Sequence, residues 1–220
     1  RLIMIISHKH KFIFIHIPKC AGSSVDHILM SLMGLNWPKQ WAEVPTDEAL
    51  ILRVAKQYGN SECLEQHDTI REVEDYFDKM NWDISQYFKF CFLRNPWARR
   101  VSQYAYGLKM TEITGAQWAK EISEMTFDEF ISKRNDSQLN WVKNKSGEIA
   151  VDFIGNTSNF QDSLDVIFDR INFPRSDSGH VRVNKTKHKD YTEYYNKETI
   201  ELIAKNCHED IKYFDYKFGE

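Results

Sequence analysis

Short apolar runs alternate along this chain with stretches whose apolar residues have helical spacing. The runs at residues 12–17, 87–93 and 149–154 are rich in β-branched and aromatic side chains, a composition typical of buried strands. Residues 2–6 predict a lead-in strand, and residues 62–66 predict another short one. Each of the three main runs is followed by a turn and then by a helical pattern.

The helical pattern is strongest at residues 25–33, where apolar side chains recur at i, i+3, i+4, i+7 and i+8 and form one stripe. Asn95 and Pro96 suit the N-cap and first position of another helix, which we expect to end near Gly107. Further helices are predicted at residues 46–58, from 70 onward after a cap at Asp68 or Thr69, from 126 onward, at 159–171 and at 200–211. Loops are predicted at residues 34–45 and 135–147, and a lid at residues 108–126.

This alternation predicts an α/β fold with a central, mainly parallel sheet flanked by helices. The chain has 220 residues, of which 42% are hydrophobic, enough to bury a sizeable core. Neither a repeat nor a low-complexity linker divides the sequence. We therefore predict a single domain over residues 1–220.

The charge balance narrows the classes of partner. The chain has 29 Lys and Arg against 32 Asp and Glu, a net charge of −3, which gives no global attraction to nucleic acid or to a membrane surface. No apolar run approaches the ~18 residues of a membrane span. We expect a cytoplasmic protein of bacterial type. The alternative is a membrane-anchored parent whose upstream segment has been removed, since the chain starts without Met.

The cysteine and histidine patterns predict neither a disulfide framework nor a metal site. Four cysteines are scattered without CxxC spacing, so we expect free thiols in a reducing compartment, with Cys91 and Cys207 in the core. The eight histidines include no HxxxH pair and no His/Cys cluster.

The first candidate for chemistry is the segment between the strand at residues 12–17 and the helix that follows. It carries Lys19, Gly22, Ser23 and Ser24. A helix N-terminus presents unpaired N–H groups and a partial positive charge, Gly22 allows close approach of the backbone, and Lys19 adds a full charge. These features predict an anion site. The alternative is that the two serines only cap the helix and Lys19 is solvated.

A second segment repeats this logic at the end of the strand at residues 87–93. Arg94 stands at the carboxyl end of the strand, where α/β sheets bind ligands, and Ser102 follows about two helical turns later. The alternative is that Arg94 pairs with a carboxylate and Ser102 faces solvent. A third segment, residues 180–189, carries four Lys and Arg residues; it is either a solvated basic loop or closes over a polyphosphate-type ligand.

The sequences PKCAGSS at residues 18–24 and FLRNPWARRVSQY at residues 92–104 resemble the sulfotransferase family that uses 3′-phosphoadenosine 5′-phosphosulfate (PAPS). The resemblance is greatest to the branch of membrane-bound carbohydrate sulfotransferases and their bacterial relatives, and it covers nearly the whole chain. It implies a P-loop-like, three-layer fold and sulfuryl transfer from PAPS to a hydroxyl group, by default that of a carbohydrate. It also implies that no metal is required.

The resemblance assigns donor-binding roles to individual positions. The first motif holds the 5′-phosphosulfate, the second holds the 3′-phosphate, and residues near the carboxyl terminus close over the nucleotide. The implied donor-binding residues are Lys19, Cys20, Ala21, Gly22, Ser23, Ser24, Arg94, Ser102, Arg182, Lys185 and Thr186. Two positions depart from the family pattern: Cys20 stands where Thr is usual, and Ser158 stands where an acid is frequent.

Two residues are implied as catalytic. Lys19 would stabilise the charge on the bridging oxygen of the leaving phosphate. His67 would take the proton of the acceptor, since it lies between the two motifs and an ordinary histidine pKa suits a base at neutral pH. His16 is the competing candidate, but its place in the predicted strand favours a buried structural role. The alternative for His67 is that it is a structural or surface histidine.

Two other functions remain open at this level. A P-loop kinase would need a Gly-Lys-Ser/Thr step and a strand-ending Asp, whereas the predicted strand at residues 87–93 is followed by Arg94. A catalytically silent nucleotide-binding protein would bind the product nucleotide, PAP, without transfer. The acceptor is a glycan or a small hydroxylated molecule, and exposed tryptophans could stack on a sugar or fill the core: Trp37, Trp41, Trp118 and Trp141.

Overall fold

The computed structural model describes residues 4–32, 64–134, 136–173 and 188–220. The chain divides into two compact units. The first comprises Arg1–Leu93 with Asn140–Val183, and the second comprises Arg94–Leu139 with Asn184–Glu220. A single domain over residues 1–220 stays a prediction. The loop and helix predicted at residues 34–58 lie outside the described residues.

The first unit contains a four-stranded sheet in the order β1-β2-β3-β4. The strands are β1 Ile5–Ser7, β2 Phe12–Ile15, β3 Phe88–Leu93 and β4 Phe153–Asn156. β1 is antiparallel to β2, and the other two pairs are parallel. Phe14 pairs with Phe90, their rings stack at 5.3 Å, and both side chains are buried. The predicted α/β fold with a mainly parallel sheet is confirmed.

Helices make up most of the remaining regular structure, and none in the described ranges is both long and apolar enough to cross a membrane. The first unit holds α1 Gly22–Leu32, α2 Ile70–Lys79 and α6 Phe160–Ile171. The second unit holds α3 Pro96–Thr114, α4 Gln117–Ser123, α5 Phe127–Lys133, α7 Lys197–Asn206 and α8 His208–Phe214.

Several predicted boundaries are confirmed by their capping groups. The Glu72 carboxylate accepts hydrogen bonds from the N–H and hydroxyl of Thr69 before α2. The Asn95 carboxamide oxygen accepts from the N–H groups of Trp97 and Ala98 at the start of α3, and Pro96 occupies its first position. Local sequence was sufficient here because each cap lies within three residues of the groups that it satisfies.

Other predicted boundaries are wrong. α3 does not end near Gly107 but continues to Thr114, and Gly115 closes it with a φ of 60°. Gly107 serves instead for packing, because a Cβ there would lie 2.6 Å from the side chain of Ile122. Residues 108–126 contain the end of α3 and then α4, and their role as a lid stays a prediction.

Strand and loop boundaries also differ from prediction. β4 begins at Phe153 rather than at residue 149, after a bridge between Lys143 and Ile149. Of the strand predicted at residues 62–66, the described part, residues 64–66, contains a single bridge residue, Glu65, and no regular strand. The predicted loop at 135–147 contains a 3₁₀ helix, Gln138–Trp141. Near the C-terminus the predicted helix is interrupted at Cys207, between α7 and α8.

The second unit packs around a core of five buried residues, Trp97, Ile131, Ile203, Cys207 and Tyr216. The indole of Trp97 donates to the Ile200 carbonyl, and the Tyr195 hydroxyl donates to the Trp97 carbonyl. Three cysteines of the described ranges, Cys20, Cys91 and Cys207, are free thiols as predicted, and the burial predicted for Cys91 and Cys207 extends to Cys20.

Asn95 joins two segments of the second unit, since its amide nitrogen donates to the Lys217 carbonyl while its oxygen caps α3. We expect Asn95→Ala to lower the free energy of unfolding by about 1–2 kcal/mol. Asn95→Asp keeps the cap and loses only the donor to Lys217, so it should cost less. Urea denaturation of both variants tests this, and equal losses would contradict a role for the cap.

Candidate active site

The loop that joins β2 to α1 has an unusual backbone. Lys19 and Ala21 have φ values of 67° and 62°, in the left-handed region that non-glycine residues seldom adopt. Cys20, between them, is not among the residues with positive φ. Residues 18–21 form a turn, so both positive φ values fall in the tight turn that leads into α1.

The start of α1 contributes further donors to this loop. α1 begins at Gly22, earlier than predicted, so Ser23 and Ser24 lie in its first turn and are not caps. The N–H groups of Ser24 and Val25 both donate to the Ala21 carbonyl. Within the described residues, the N–H groups of Gly22 and Ser23 have no acceptor in the protein. Two backbone donors and the positive end of α1 therefore remain for a ligand.

Gly22 is required by a side chain beneath it. A Cβ on Gly22 would lie 2.0 Å from Nε2 of His16, and the His16 ring is buried. The sequence interpretation, in which Gly22 admits the ligand, is therefore incomplete. The absence of a side chain at Gly22 lets the first turn of α1 lie directly on the imidazole of His16.

Cys20 shapes the loop with both of its donors. Its N–H donates to the Ile17 carbonyl, and its thiol lies 3.7 Å from the Pro18 carbonyl oxygen as a weak donor. The side chain is 1% exposed. Both groups of Cys20 therefore stabilise the conformation of the loop itself. Direct contact of Cys20 with a bound nucleotide stays a prediction.

A buried polar cluster lies under the loop. Asp26 of α1 is 2% exposed, and its Oδ2 lies 2.9 Å from Nδ1 of His16. This contact lacks the alignment of a hydrogen bond, so we describe it as an electrostatic contact. The Gln66 amide donates to the same oxygen at 3.0 Å. The prediction that His16 is buried structure is confirmed.

His67 lies beside this cluster, in a turn. Its Nδ1 lies 2.9 Å from the His16 carbonyl oxygen, and because a carbonyl can only accept, Nδ1 carries the proton. Nε2 of the neutral ring is therefore the basic nitrogen. The rings of His16 and His67 meet edge to face at 4.8 Å.

The surroundings of His67 favour its neutral form, although the residue as a whole is exposed. Packing of protein around the ring, followed by the nearby His16 and Lys19, lowers the pKa of His67 to about 4. The hydrogen bond to the His16 carbonyl and the charge of Asp26 oppose this shift. His67 differs in this from the sequence-based expectation of an ordinary histidine pKa.

Trp141 fixes the other side of the same turn. Its indole N–H donates to the His67 carbonyl at 3.0 Å, and its side chain is half-buried. Of the other predicted acceptor-site tryptophans, Trp118 is 43% exposed and stacks on Tyr106 in the second unit. Trp37 and Trp41 lie outside the described residues.

The second motif lies in the second unit. Arg94 follows the last residue of β3, and Ser102, in the second turn of α3, is 6% exposed. The alternative that Ser102 faces solvent is therefore wrong. The Arg94 N–H donates to Oε1 of Gln138, and the Arg94 carbonyl accepts from Nε2 of the same side chain.

The neighbouring arginines of this motif have a structural role. Arg99 and Arg100 are each 1% exposed, and both form ion pairs with Asp136. Burial acts to raise the pKa of Asp136, but the two guanidiniums outweigh it and hold that pKa below its ordinary value. Arg99 and Arg100 therefore differ in role from Arg94, the residue predicted to bind a ligand.

The third predicted segment is described only at its end. Arg182, Lys185 and Thr186 lie outside the described residues, so their placement stays a prediction. Four residues that the sequence interpretation missed, Asp26, Gln66, Gln138 and Asp210, are buried polar groups. One indirect indication of Asp26 was present in the sequence: His16 is predicted to be buried in a strand, and a buried histidine needs a polar partner.

The contact between Gly22 and His16 generates a prediction. Gly22→Ala forces the buried imidazole to move, and such overpacking costs about 1–3 kcal/mol of unfolding free energy. In a His16→Ala background the ring is absent, so the same substitution should cost clearly less. Urea denaturation of the four proteins in this cycle measures the coupling, and Ser23→Ala serves as a control on the same turn. Equal costs in both backgrounds would contradict the steric account.

One of three comparisons with known proteins gave a match. A comparison with curated proteins and one with solved structures gave no match. The model of the sulfotransferase family matches residues 3–217, nearly the whole chain. The chain therefore belongs to the sulfotransferase family.

Proposed function

We propose that this protein transfers the sulfuryl group of PAPS to a hydroxyl group of an acceptor, with carbohydrates as the first acceptor class. The observation that carries the proposal is the junction of the loop with α1 in the first unit, where Lys19 precedes the helix and the N–H groups of Gly22 and Ser23 lie in its first turn. Its match in sequence to the family's phosphosulfate motif supports the same assignment. PAPS supplies an activated sulfuryl group on a phosphate leaving group.

Binding of the phosphosulfate is assigned to Lys19, Gly22, Ser23 and Ser24. The N–H groups of Gly22 and Ser23 suit anionic oxygens because they lie at a helix N-terminus. Cys20 and Ala21 contribute through the backbone conformation of the loop. The side chain of Lys19 supplies a charge for the phosphate oxygen that leaves, and preorganised groups of this kind contribute roughly 3–4 kcal/mol.

Binding of the 3′-phosphate is assigned to Arg94 and Ser102 of the second motif. A guanidinium can meet a phosphate with two parallel hydrogen bonds, and a serine hydroxyl can donate a further one. Closure over the nucleotide by Arg182, Lys185 and Thr186 is proposed from the resemblance alone. That donor binding needs no metal, and that the protein is cytoplasmic, also stay predictions.

His67 is proposed as the general base. Its Nδ1–H is held by the His16 carbonyl, which leaves Nε2 to take the acceptor's proton. In the transfer, the acceptor oxygen bonds to sulfur, the bond from sulfur to the phosphate oxygen breaks, and the proton moves to Nε2. Lys19 acts on both groups, since its charge favours the leaving phosphate and disfavours protonated His67.

The acceptor class is inferred from Trp141. Trp141 is anchored to the His67 backbone, so an aromatic side chain lies next to the proposed base. Aromatic rings with a polar edge suit the apolar face of a sugar, which is consistent with a carbohydrate acceptor. A free hydroxylated small molecule meets the same requirement.

Binding of the product nucleotide, PAP, tests the donor assignment. We expect PAP to bind in EDTA, and Lys19→Ala and Arg94→Ala each to weaken it roughly ten- to hundredfold, since each removes charged hydrogen bonds. Calorimetric titration measures this. Lys145→Ala and Arg134→Ala, at exposed positions, are the matched controls. If folded wild-type protein binds no PAP in EDTA but binds ATP with Mg²⁺, the kinase alternative replaces this proposal.

The pKa of His67 gives a test that needs no acceptor. We expect its ring to titrate near pH 4 rather than near 6.5, with the proton of the neutral form on Nδ1. Because the unfolded chain takes up this proton at higher pH than the folded one, His67 should lower stability as the pH falls from 6.5 toward 4. Nitrogen-detected NMR measures the pKa and the tautomer, and His67→Gln assigns the signal. A neutral form protonated on Nε2 would overturn the assignment of that nitrogen as the base.

A further inference from the structure

The side chain of Gln138 forms hydrogen bonds with both the N–H and the C=O of Arg94. Its Oε1 accepts from the Arg94 N–H at 2.9 Å, and its Nε2 donates to the Arg94 carbonyl at 2.8 Å. The N–H and C=O of one extended residue point to the same side, as in a hydrogen-bonded pair of an antiparallel ladder. The Gln138 carboxamide thus gives Arg94 the same two hydrogen bonds that a neighbouring strand would give it in a sheet.

A buried carboxylate in turn fixes Gln138. Asp210 is 0% exposed, and its Oδ2 accepts from the backbone N–H of Gln138 at 2.7 Å and from Nε2 at 3.2 Å. Its Oδ1 accepts from the hydroxyl of Ser137 and from the N–H of Leu139. Both carboxylate oxygens are thereby satisfied, and among the described residues Asp210 has no cationic partner.

This arrangement also fixes which way the carboxamide faces. A flipped Gln138 would place its oxygen against the Arg94 carbonyl and the Asp210 carboxylate, three acceptors without a donor. Gln138 itself is 0% exposed, so water cannot relieve such a mismatch. The chain of contacts from Asp210 through Gln138 to Arg94 therefore has a single satisfied state.

We propose that Gln138 and Asp210 are positioning residues that orient Arg94 for the 3′-phosphate of the donor and so set selectivity for a 3′-phosphorylated nucleotide. This inference rests on the role proposed above for Arg94. The two hydrogen bonds fix the backbone from which the guanidinium projects, and displacement of such a group by 1 Å costs binding or rate steeply. Neither Gln138 nor Asp210 needs to touch the nucleotide.

The test compares PAP with adenosine 5′-monophosphate, which lacks the 3′-phosphate. The ratio of their dissociation constants isolates what the 3′-phosphate contributes. We expect Gln138→Leu to reduce this ratio roughly ten- to hundredfold while affinity for the monophosphate changes little. Gln117→Leu, the same substitution at an exposed position of the second unit, should leave the ratio unchanged.

The possible outcomes separate this inference from the proposed function. A wild-type ratio near one means that Arg94 binds no 3′-phosphate, and the proposed function fails first. A large wild-type ratio that Arg94→Ala abolishes but folded Gln138→Leu preserves overturns the positioning role. A purely structural role would weaken both nucleotides equally.

Two further measurements cover the case in which Gln138→Leu does not fold. Gln138→Glu keeps the acceptor for the Arg94 N–H but loses the donor to its carbonyl, and Asp210→Asn keeps the Gln138 side chain but removes the carboxylate that fixes it. We expect both to reduce the ratio. In the wild-type protein, the Arg94 amide proton should be protected from hydrogen exchange, and fast exchange of that proton would overturn the proposal without any variant.

Discussion

The contact between a buried imidazole and a residue without a side chain organises the first unit. His16 directly follows β2, and its ring occupies the space that any side chain at Gly22 would need. Asp26, one turn into α1, faces the same ring. The end of the strand, the loop and the first turns of α1 therefore meet at one buried polar side chain. The carbonyl that orients His67 belongs to the same residue, His16.

Each unit uses a buried carboxylate in a similar way. Asp26 and Asp210 are almost fully buried, and each accepts a hydrogen bond from a glutamine carboxamide, Gln66 or Gln138. Gln66 directly precedes His67 in the sequence. Gln138 forms a hydrogen bond with the backbone of Arg94. Burying a carboxylate is costly unless its oxygens are satisfied, so each cluster tolerates few alternative arrangements. Such clusters suit groups that must be positioned before a ligand arrives.

Local patterns were sufficient to predict elements whose determinants lie close in sequence. The cores of β2 and β3, the cap of α3 at Asn95 and the helix at residues 160–171 belong to this class. The sequence-based predictions failed where contacts between residues far apart in the sequence determine the structure. α3 continues through Gly107 because that glycine accommodates Ile122, and Gln138 appeared to lie in a polar loop because its partners, Arg94 and Asp210, are 44 and 72 residues away. The motif residues were found from the sequence, but the groups that hold them were not.

Sulfuryl transfer itself is the central claim, and transfer of labelled sulfur tests it most directly. The measurement incubates the protein in EDTA with PAPS labelled at sulfur and a panel of hydroxylated carbohydrates, and then quantifies label bound to the acceptor and PAP formed. The account predicts equal amounts of both products with wild-type protein and loss of both with Lys19→Ala. Tight binding of PAP with no label in any acceptor, and with the donor left intact, would contradict the account and identify a nucleotide-binding protein without transferase activity.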